Sequence, residues 1–262
     1  MKLLTLNCHS WQEENQIYKI RYLAKIIYEN NYDIIALQEV SQLINSKIVY
    51  KNVKEDNFAL LLNNELKRFG CKDYKFYFEI SHIGYDIYEE GICILTKFPI
   101  VDKQNFIVSQ SNSISSYKTR RIVKLTLNYN NKYIDIYSCH LGWWSDKEES
   151  FKYQVDTLMK NTRNVLSFFM GDFNNNACIP NEGYDYILKY GLLDTYTLAK
   201  NKDSGVTVEG NIDGWDKNKK DMRLDIIFTN KNIDVEYSNV IFNGKNKEKV
   251  SDHYGVEIKV NI

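Results

Sequence analysis

The sequence predicts an α/β chain in which two β-sheets pack together and helices cover their outer faces. Apolar segments of strand length alternate with amphipathic segments of helix length along the 262 residues. Several strand segments are continuously apolar, which is typical of strands that are buried on both faces. Two sheets with helices outside cover every apolar face. We expect a single domain over residues 1–262, since α/β domains of roughly 200–250 residues are ordinary.

The first elements alternate strand and helix. Residues 2–7 predict a short apolar strand, and residues 14–30 predict a helix with one apolar face. That face contains Ile17, Ile20, Leu23, Ala24 and Ile27. The apolar run YDIIALQEV predicts a buried strand that ends near Glu39. A second amphipathic helix is expected over residues 56–69, with Gly70 as its stop. Its core positions are Leu60, Leu61 and Leu66.

The rest of the chain is richer in strands. Between residues 74 and 139 the strand segments are YKFYFEI, GICILT, RRIVKLTLNY and KYIDIYSCHL, and Asn130-Asn131 predicts a hairpin turn between the last two. A helix is expected after residue 145, because Ser145 and Glu148 have capping-box spacing. NVLSFFMGDFN predicts a strand and residues 184–190 a short helix. RLDIIFTN, VEYSNVIF and YGVEIKV predict late strands.

Charge and composition narrow the functional classes. The 34 Lys and Arg residues balance 34 Asp and Glu residues, so no net field attracts a polyanion, and long nucleic acid is a poor default partner. Five cysteines without CxxC spacing predict reduced thiols rather than a disulfide framework or a zinc cage. The opening MKLLTLN predicts a strand, not a signal peptide, and no apolar run reaches the roughly 20 residues that span a bilayer. We expect a soluble, cytoplasmic protein without a membrane partner.

Polar residues stand at or near the ends of apolar strands. They are Asn7, Glu39, His140, Asp172, Asn174, Asp225, Asp252 and His253. A single such residue is more often a turn former or a helix cap. Converging carboxylates and amides, however, form an oxygen-rich site that suits Mg²⁺ or Mn²⁺ better than zinc. Because neighbouring histidines can contact a phosphate and stabilise its charge, the set predicts metal-assisted hydrolysis of a phosphate ester.

The order of these motifs resembles that of a known superfamily. The motifs TLNCHS, ALQEV, SCHL, GDFN, RLDIIF and SDH together resemble the endonuclease/exonuclease/phosphatase superfamily, and the likeness runs from residue 3 to residue 256. The resemblance implies a four-layer sandwich, in which two mixed β-sheets pack face to face with helices on the outside. It also implies a hydrolase that depends on a divalent metal.

The resemblance implies roles for the carboxylates and amides. Glu39 would hold the metal with help from Asn7, and Asp252 would complete the metal environment. Asp172 would orient or deprotonate the attacking water, while Asn174 would steady that water or the phosphate.

It also implies contacts to the phosphate. His253, held by Asp225, would contact the scissile phosphate, and His140 would contact it from another side. Arg120, in the segment KTRR, is the basic side chain that we expect to reach the phosphate. Arg121 is an alternative for this role. The other alternative is that KTRR is a solvated run of charges that does not contact the phosphate.

Purely structural interpretations compete with some of these roles. Glu39 could cap a helix, and Asp225 could form a salt bridge with Arg223. His9 and His82 match no position of the superfamily, and we predict that both are surface or core histidines.

Three tryptophans indicate the substrate. Trp143 and Trp144 follow His140 directly, and Trp215 lies on the loop that leads to Asp225. Sugars present C–H faces that stack on indole rings, so these residues predict a phosphorylated sugar. Core packing is the alternative, above all for Trp143 and Trp144.

A narrower resemblance agrees with a sugar substrate. LNCHSWQEEN, YDIYEEGICILTKFPI, HLGWWSDKEESFKYQ and VEGNIDGW resemble the maltose 6'-phosphate phosphatase branch of Gram-positive bacteria. That branch implies release of inorganic phosphate from a phosphorylated disaccharide. Trehalose phosphate would fit the same substrate site. The alternative is a nuclease or phosphodiesterase of the superfamily, including a sphingomyelinase-like enzyme. A non-enzymatic binding module is disfavoured, because Glu39, Asp172 and His253 are all present.

Overall fold

The computed structural model describes residues 1–212, 214–215 and 219–262. In chain order the elements are β1 (Lys2–Asn7), α1 (Gln16–Asn30), β2 (Ile34–Leu43), β3 (Ile48–Tyr50), β4 (Val53–Lys54), α2 (Phe58–Arg68), β5 (Lys75–Gly84), β6 (Tyr88–Thr96), β7 (Ile100–Ile107), β8 (Arg121–Tyr129), β9 (Lys132–His140), α3 (Phe151–Lys160), β10 (Leu166–Asp172), α4 (Gly183–Leu188), β11 (Leu193–Asp194), α5 (Thr195–Leu198), β12 (Asn201–Lys202), β13 (Asp225–Thr229), β14 (Asp234–Ile241) and β15 (Gly255–Asn261).

Most of the strands form two mixed sheets. The first sheet has the order β12-β14-β15-β1-β2-β6-β5, and the second has the order β11-β13-β10-β9-β8-β7. Strands β1 and β2 are parallel in the first sheet, as are β9 and β10 in the second. Strands β3 and β4 form a small hairpin apart from both sheets.

The two sheets share a buried apolar layer. Leu3 and Ile94 of the first sheet belong to the same cluster as Leu125 and Phe168 of the second. Leu4, the neighbour of Leu3, belongs to the cluster on the opposite face of the first sheet. Successive side chains of a strand point to opposite faces of the sheet. Because both faces of β1 are buried, its side chains must be apolar on both faces. This explains the continuous apolar runs in the sequence.

Helices cover the outer face of each sheet. Leu23 of α1 and Leu62 of α2 pack in one cluster with Leu4 of the first sheet. Val155 of α3 packs in another cluster with Phe169 of the second sheet. Each fully buried side chain of this kind contributes roughly 1.5–3 kcal/mol through its removal from water. The predicted sandwich of two sheets with helices outside is confirmed.

Several local predictions hold. Asn130 and Asn131 both have positive φ, at 50° and 62°, and Tyr129 pairs with Lys132 across the turn. Helix α2 begins after Asn57, whose side chain accepts a hydrogen bond from the Leu60 amide. All five cysteines are free thiols. Within the described ranges, no helix is both long and apolar enough to cross a membrane.

Other local predictions were wrong. Helix α3 is capped by Ser150 rather than Ser145, because the Ser150 side chain accepts from the Tyr153 amide. Ile17 was assigned to the apolar face of α1 but is 46% exposed. Strand β7 was missed, because DKQN interrupts its apolar pattern and it lies at the edge of the second sheet. Strand β2 does not end near Glu39 but continues to Leu43.

A buried ion cluster lies at the start of β9. The fully buried Asp135 accepts hydrogen bonds from Arg163 at 2.6 and 3.0 Å and from Thr126 at 2.7 Å. The Lys124 ammonium lies 3.3 Å away. Burial raises the pKa of Asp135, but the hydrogen bonds from Arg163 and Thr126, with the charge of Lys124, outweigh it and hold that pKa below its usual value.

Candidate active site

Two carboxylates from different sheets meet where the parallel pairings of β1 with β2 and of β9 with β10 end. Glu39 comes from β2 and Asp172 from β10, and the Asn7 amide nitrogen donates to both, at 2.7 Å to Glu39 and 3.2 Å to Asp172. The Asn7 carbonyl oxygen accepts from the His9 backbone at 3.1 Å, which fixes the orientation of the amide. Asn7 therefore presents its nitrogen, not a metal-ligating oxygen, to the carboxylates.

Glu39 occupies a distorted position in β2. The pairing of β2 with β6 shifts register between Leu37 and Val40, and Glu39 has a φ of 50°. A left-handed conformation is uncommon for a residue other than glycine, and bulges beside functional sites redirect side chains. The bulge explains why the strand continues beyond Glu39 and how this carboxylate reaches Asn7.

Strand register aligns three more polar residues. Asp172 pairs with His140 of β9 on one side and with Asp225 of β13 on the other. Gly171 permits the close approach of β9 and β10, because a Cβ atom there would lie 1.9 Å from the Cys139 carbonyl oxygen. The glycine of the GDFN motif thus serves the packing that brings Asp172 and His140 together.

Asp172 Oδ2 lies between two imidazoles. Its distance is 3.8 Å to His140 Nε2 and 3.8 Å to His253 Nε2. His253 Nδ1 is 2.8 Å from Asp225 Oδ2. The alternative that Asp225 pairs with Arg223 is wrong, because Arg223 pairs with Asp194 at 2.7 Å.

The two histidines are held in opposite protonation states. Burial, followed by the charge of Arg120, lowers the pKa of His140 well below its usual value. Burial also opposes charge on His253, but Asp225 and Asp172 outweigh it and raise the pKa of His253 well above its usual value. At neutral pH the site therefore holds one neutral imidazole and one imidazolium, which can accept and donate protons respectively.

A hydrogen-bond donor and a hydrogen-bond acceptor fix the orientation of the Asn174 side-chain amide. The Trp215 indole nitrogen, which can only donate, lies 3.1 Å from Asn174 Oδ1. Asn174 Nδ2 donates to the Leu141 carbonyl at 3.0 Å, and the Asn174 backbone donates to Asp172 Oδ1 at 2.8 Å. This leaves the second N–H of the amide as the donor that Asn174 can offer to a ligand.

Arg120 and Trp143 stack on each other. Arg120 is buried, and its guanidinium lies 5.6 Å from the centre of the Trp143 ring. Gly214 contacts the edge of the same ring, where a Cβ atom would lie 2.9 Å from it. One face of Trp143 is thus occupied by Arg120 instead of standing free for a sugar. Arg121 points elsewhere, because its Nε donates to the Ile80 carbonyl.

Trp144 lies away from these residues. Its ring packs at 6.1 Å from Phe151 and 5.9 Å from Tyr186, and Lys152 lies 4.9 Å above it. The prediction of Trp144 as a substrate platform is therefore corrected to packing against α3 and α4. The sequence could not separate it from Trp143, because neighbouring loop residues carry no periodicity.

A single cavity of about 400 Å³ collects most of the predicted residues. Those that line it are Glu39, Arg120, His140, Trp143, Asp172, Asn174, Asp252 and His253. Asn7 and Asp225 hold residues of the lining through the hydrogen bonds above, and Trp215 holds Asn174. The volume lies within the roughly 300–1,000 Å³ that is usual for small-ligand sites.

The cavity also contains residues that the sequence did not assign. All four histidines of the chain line it, including His9 and His82. His9 Nδ1 lies 2.8 Å from Glu13 and 3.7 Å from Asp252. Burial opposes charge on His9, but Glu13 and Asp252 raise its pKa to about 9. The weak signal for His9 was its position two residues after Asn7.

His82, from β5, also lines the cavity. Its Nε2 is 3.4 Å from Glu90, and its Nδ1 is 3.3 Å from the Thr119 carbonyl. Burial and the charge of Arg120 lower the pKa of His82 to about 3, so the ring is neutral. The prediction that His9 and His82 are plain surface or core histidines is corrected, because both face the cavity.

The donors at the base of the cavity suit a divalent metal. Glu39, His140 and Asp172 offer ligand atoms within 4.8 Å of one another. Burial, with the nearby charges of Glu90 and Asp252, raises the pKa of Glu39 to about 8. This crowding of negative charge would be relieved by a cation. Carboxylate oxygens favour hard cations such as Mg²⁺ and Mn²⁺.

The two-sheet sandwich and the carboxylates and histidines that it brings together suit a metal-dependent hydrolase of phosphoester bonds. The sequence profile of the Endonuclease/Exonuclease/phosphatase family matches residues 14–253. The chain therefore belongs to this family, whose members are metal-dependent phosphoester hydrolases, phosphatases among them.

Solved structures agree with this membership. An endonuclease/exonuclease/phosphatase family protein from Leptotrichia buccalis is 42% identical, with 100% of each chain covered and a TM-score of 0.95. A mannosyl-6-phosphatase from Bacteroides thetaiotaomicron is 16% identical, with 100% of each chain covered and a TM-score of 0.74. Truncated Caenorhabditis elegans TDP2 is 18% identical, with 100% of this chain and 97% of that one covered and a TM-score of 0.66. The last two share the fold. No curated protein matches the chain.

Proposed function

We propose that the enzyme is a phosphomonoesterase that releases inorganic phosphate from a phosphorylated sugar, maltose 6'-phosphate or a similar disaccharide. The observation that carries the proposal is the cavity of about 400 Å³, which is larger than a phosphate group and is lined by the paired carboxylates and the histidines. A monoester with a compact leaving group would fill it. The fold shared with a mannosyl-6-phosphatase supports the same substrate class.

In this proposal the carboxylates bind the metal and position the attacking water. Glu39 would hold Mg²⁺ or Mn²⁺, Asp252 would complete the metal environment, and Asn7 keeps Glu39 and Asp172 in place. When bound, the metal supplies positive charge that polarises the phosphate and offsets the charge of the in-line displacement. Asp172 orients the attacking water and takes its proton through Oδ2, while Asn174 steadies the water with its remaining N–H.

Three cationic or polar side chains then hold the phosphate. His253, kept protonated by Asp225, donates to a phosphate oxygen. The neutral His140 contacts the phosphate from the β9 side. Arg120, which directly precedes β8, contacts the phosphate from the Trp143 side, where its guanidinium lies over the indole ring. Preorganised donors of this kind lower the reaction barrier because they need no rearrangement as charge develops.

The second candidate is a nuclease or phosphodiesterase of the same family. Tyr85 and Tyr117, which are exposed at the cavity mouth, favour it, because aromatic rings also stack on nucleobases. The balanced charge of the chain speaks against long nucleic acid. Residues 1–262 are proposed as one catalytic domain. A cytoplasmic location stays a prediction, which rests on the five free thiols.

A substrate panel tests the proposal. Phosphate release would be measured with Mg²⁺, with Mn²⁺ and with EDTA from maltose 6'-phosphate, trehalose 6-phosphate, glucose 6-phosphate and a short DNA duplex. We expect metal-dependent release from a disaccharide phosphate at a kcat/KM far above that for glucose 6-phosphate. Cleaved DNA with intact sugar phosphates would move the enzyme to the nuclease branch.

A further inference from the structure

The hairpin between β5 and β6 has an unusual tip. Tyr85 and Asp86 have φ of 49° and 58°, and the Ile87 amide donates to the Gly84 carbonyl at 3.2 Å. Turns with two successive positive φ values favour Asn-Gly or Gly-Gly, because side chains strain this conformation. A bulky tyrosine there is an outlier of the kind that collects at ligand-binding sites.

The strained tip forms part of the cavity mouth. Tyr85 and Asp86 line the cavity, together with Tyr117 of the segment that precedes β8. That segment lies beside the hairpin, because the Ile83 amide donates to the Ile114 carbonyl at 2.7 Å. Tyr85 and Tyr117 are 55% and 59% exposed, and the Lys118 ammonium lies 5.9 Å from the centre of the Tyr117 ring.

The hairpin tip carries a negative charge. Asp86 lines the cavity from this tip, and Arg120 is the one Lys or Arg among the described lining residues. Arg120 faces the catalytic end, where its charge acts on His140. A second phosphate or a carboxylate at the mouth would therefore meet like charge. Hydroxyl groups, which donate to carboxylates, would be accepted there.

We propose that Tyr85, Asp86 and Tyr117 form the subsite for the leaving group, and that this subsite selects an uncharged polyhydroxyl ring. The C–H face of the ring stacks on the tyrosines, and its hydroxyls donate to the Asp86 carboxylate. The inference rests on the proposed phosphomonoesterase function and deepens it. It also moves sugar recognition from the tryptophans to the hairpin, since Trp143 is stacked under Arg120 and Trp144 packs elsewhere.

Tyr85→Gly separates binding from folding. Glycine relieves the positive φ, so the thermal midpoint should rise or stay level, while the loss of the ring should reduce kcat/KM for the preferred sugar phosphate at least tenfold. The loss on p-nitrophenyl phosphate, which has no sugar, should be at least fivefold smaller. Tyr85→Phe keeps the ring and should lose less than Tyr85→Gly. A lower midpoint with equal losses on both substrates would make Tyr85 a structural residue.

Charge reversal tests the selection against anions. Asp86→Lys should lower the ratio of kcat/KM for glucose 6-phosphate to kcat/KM for 6-phosphogluconate by at least fivefold. 6-Phosphogluconate carries a carboxylate on a chain of similar size. The shift should shrink at high salt, because exposed charges are screened. Asp73→Lys is the matched control, since it makes the same charge change on an exposed loop before the far end of β5 and should leave the ratio as in the wild type.

The outcomes distinguish the two proposals. A wild-type enzyme that cleaves sugar phosphates, with Tyr85→Gly and Asp86→Lys showing no selective loss, would overturn the subsite and leave the phosphomonoesterase standing. A wild-type enzyme that cleaves DNA and no sugar phosphate would overturn both.

Discussion

Replacement of Trp215 by phenylalanine should slow the enzyme on every phosphate ester. The change removes the indole N–H that holds Asn174 Oδ1 at 3.1 Å but keeps an aromatic ring beside Val208, Met222 and Leu224. One such hydrogen bond is worth about 0.5–1.5 kcal/mol net. Since 1.36 kcal/mol corresponds to a tenfold change in rate, kcat should fall roughly 2- to 12-fold if the amide must be oriented in the transition state.

The assay compares substrates with and without a sugar. Steady-state kcat and KM would be measured for the preferred sugar phosphate and for p-nitrophenyl phosphate in the wild type, Trp215→Phe and Trp215→Ala. We expect Trp215→Phe to lower kcat on both substrates by similar factors. A raised KM confined to the sugar phosphate in Trp215→Ala, with Trp215→Phe like the wild type, would refute the reasoning and restore Trp215 as a sugar platform.

A double-mutant cycle provides the control. In an Asn174→Ala background the Trp215 indole has no amide to orient, so Trp215→Phe should then change kcat by less than about twofold. Additive effects of Trp215→Phe and Asn174→Ala would show that the tryptophan acts by another route.

Three further outcomes are expected. Asp172→Asn and His253→Ala should each lower kcat by about two orders of magnitude or more with an unchanged circular dichroism spectrum, because each acts on the barrier rather than the fold; an active Asp172→Asn enzyme would contradict the site. Glu39→Gln should weaken Mg²⁺ binding in calorimetry, and Mg²⁺ should raise the thermal midpoint of the wild type but not of this variant. Asp135→Asn leaves Lys124 buried without its anion and should lower the free energy of unfolding by roughly 3–5 kcal/mol at pH 7. Burial raises the Asp135 pKa, but cations and hydrogen bonds outweigh it and hold the pKa below its usual value. The stabilisation from Asp135 is therefore present above the unfolded pKa of about 3.9 and is lost as the pH falls through the folded pKa. The free energies of unfolding in urea of the wild type and the variant should thus converge at low pH.

The sequence predicted those site residues that stand at the ends of buried strands. Asn7, His140 and Asp172 close their strands in the structure as predicted, because a buried strand is a readable apolar run and the polar residue that ends it stands out. The sandwich was predictable for the same reason, since the continuous runs required covers on both faces.

The sequence was uninformative where the outcome depends on contacts between distant segments. Nothing local shows that Arg120 covers the ring of Trp143, or that His82 faces the cavity of His140. The bulge at Glu39 was hidden too, because the apolar run is the same with or without a register shift. The hairpin tip was hidden as well, because Tyr85-Asp86 stands where the usual turn signal would be Asn-Gly.

The in-register alignment of β9, β10 and β13 has a consequence for how activity arises during synthesis. His140, Asp172 and Asp225 face one another only in this register, and a slip of one residue would turn Asp172 to the other side of its sheet. His253 precedes β15, which must pair with β1 from the opposite part of the chain. A nascent polypeptide therefore carries an incomplete site until β15 has emerged from the ribosome. We therefore expect hydrolysis only after both sheets have formed.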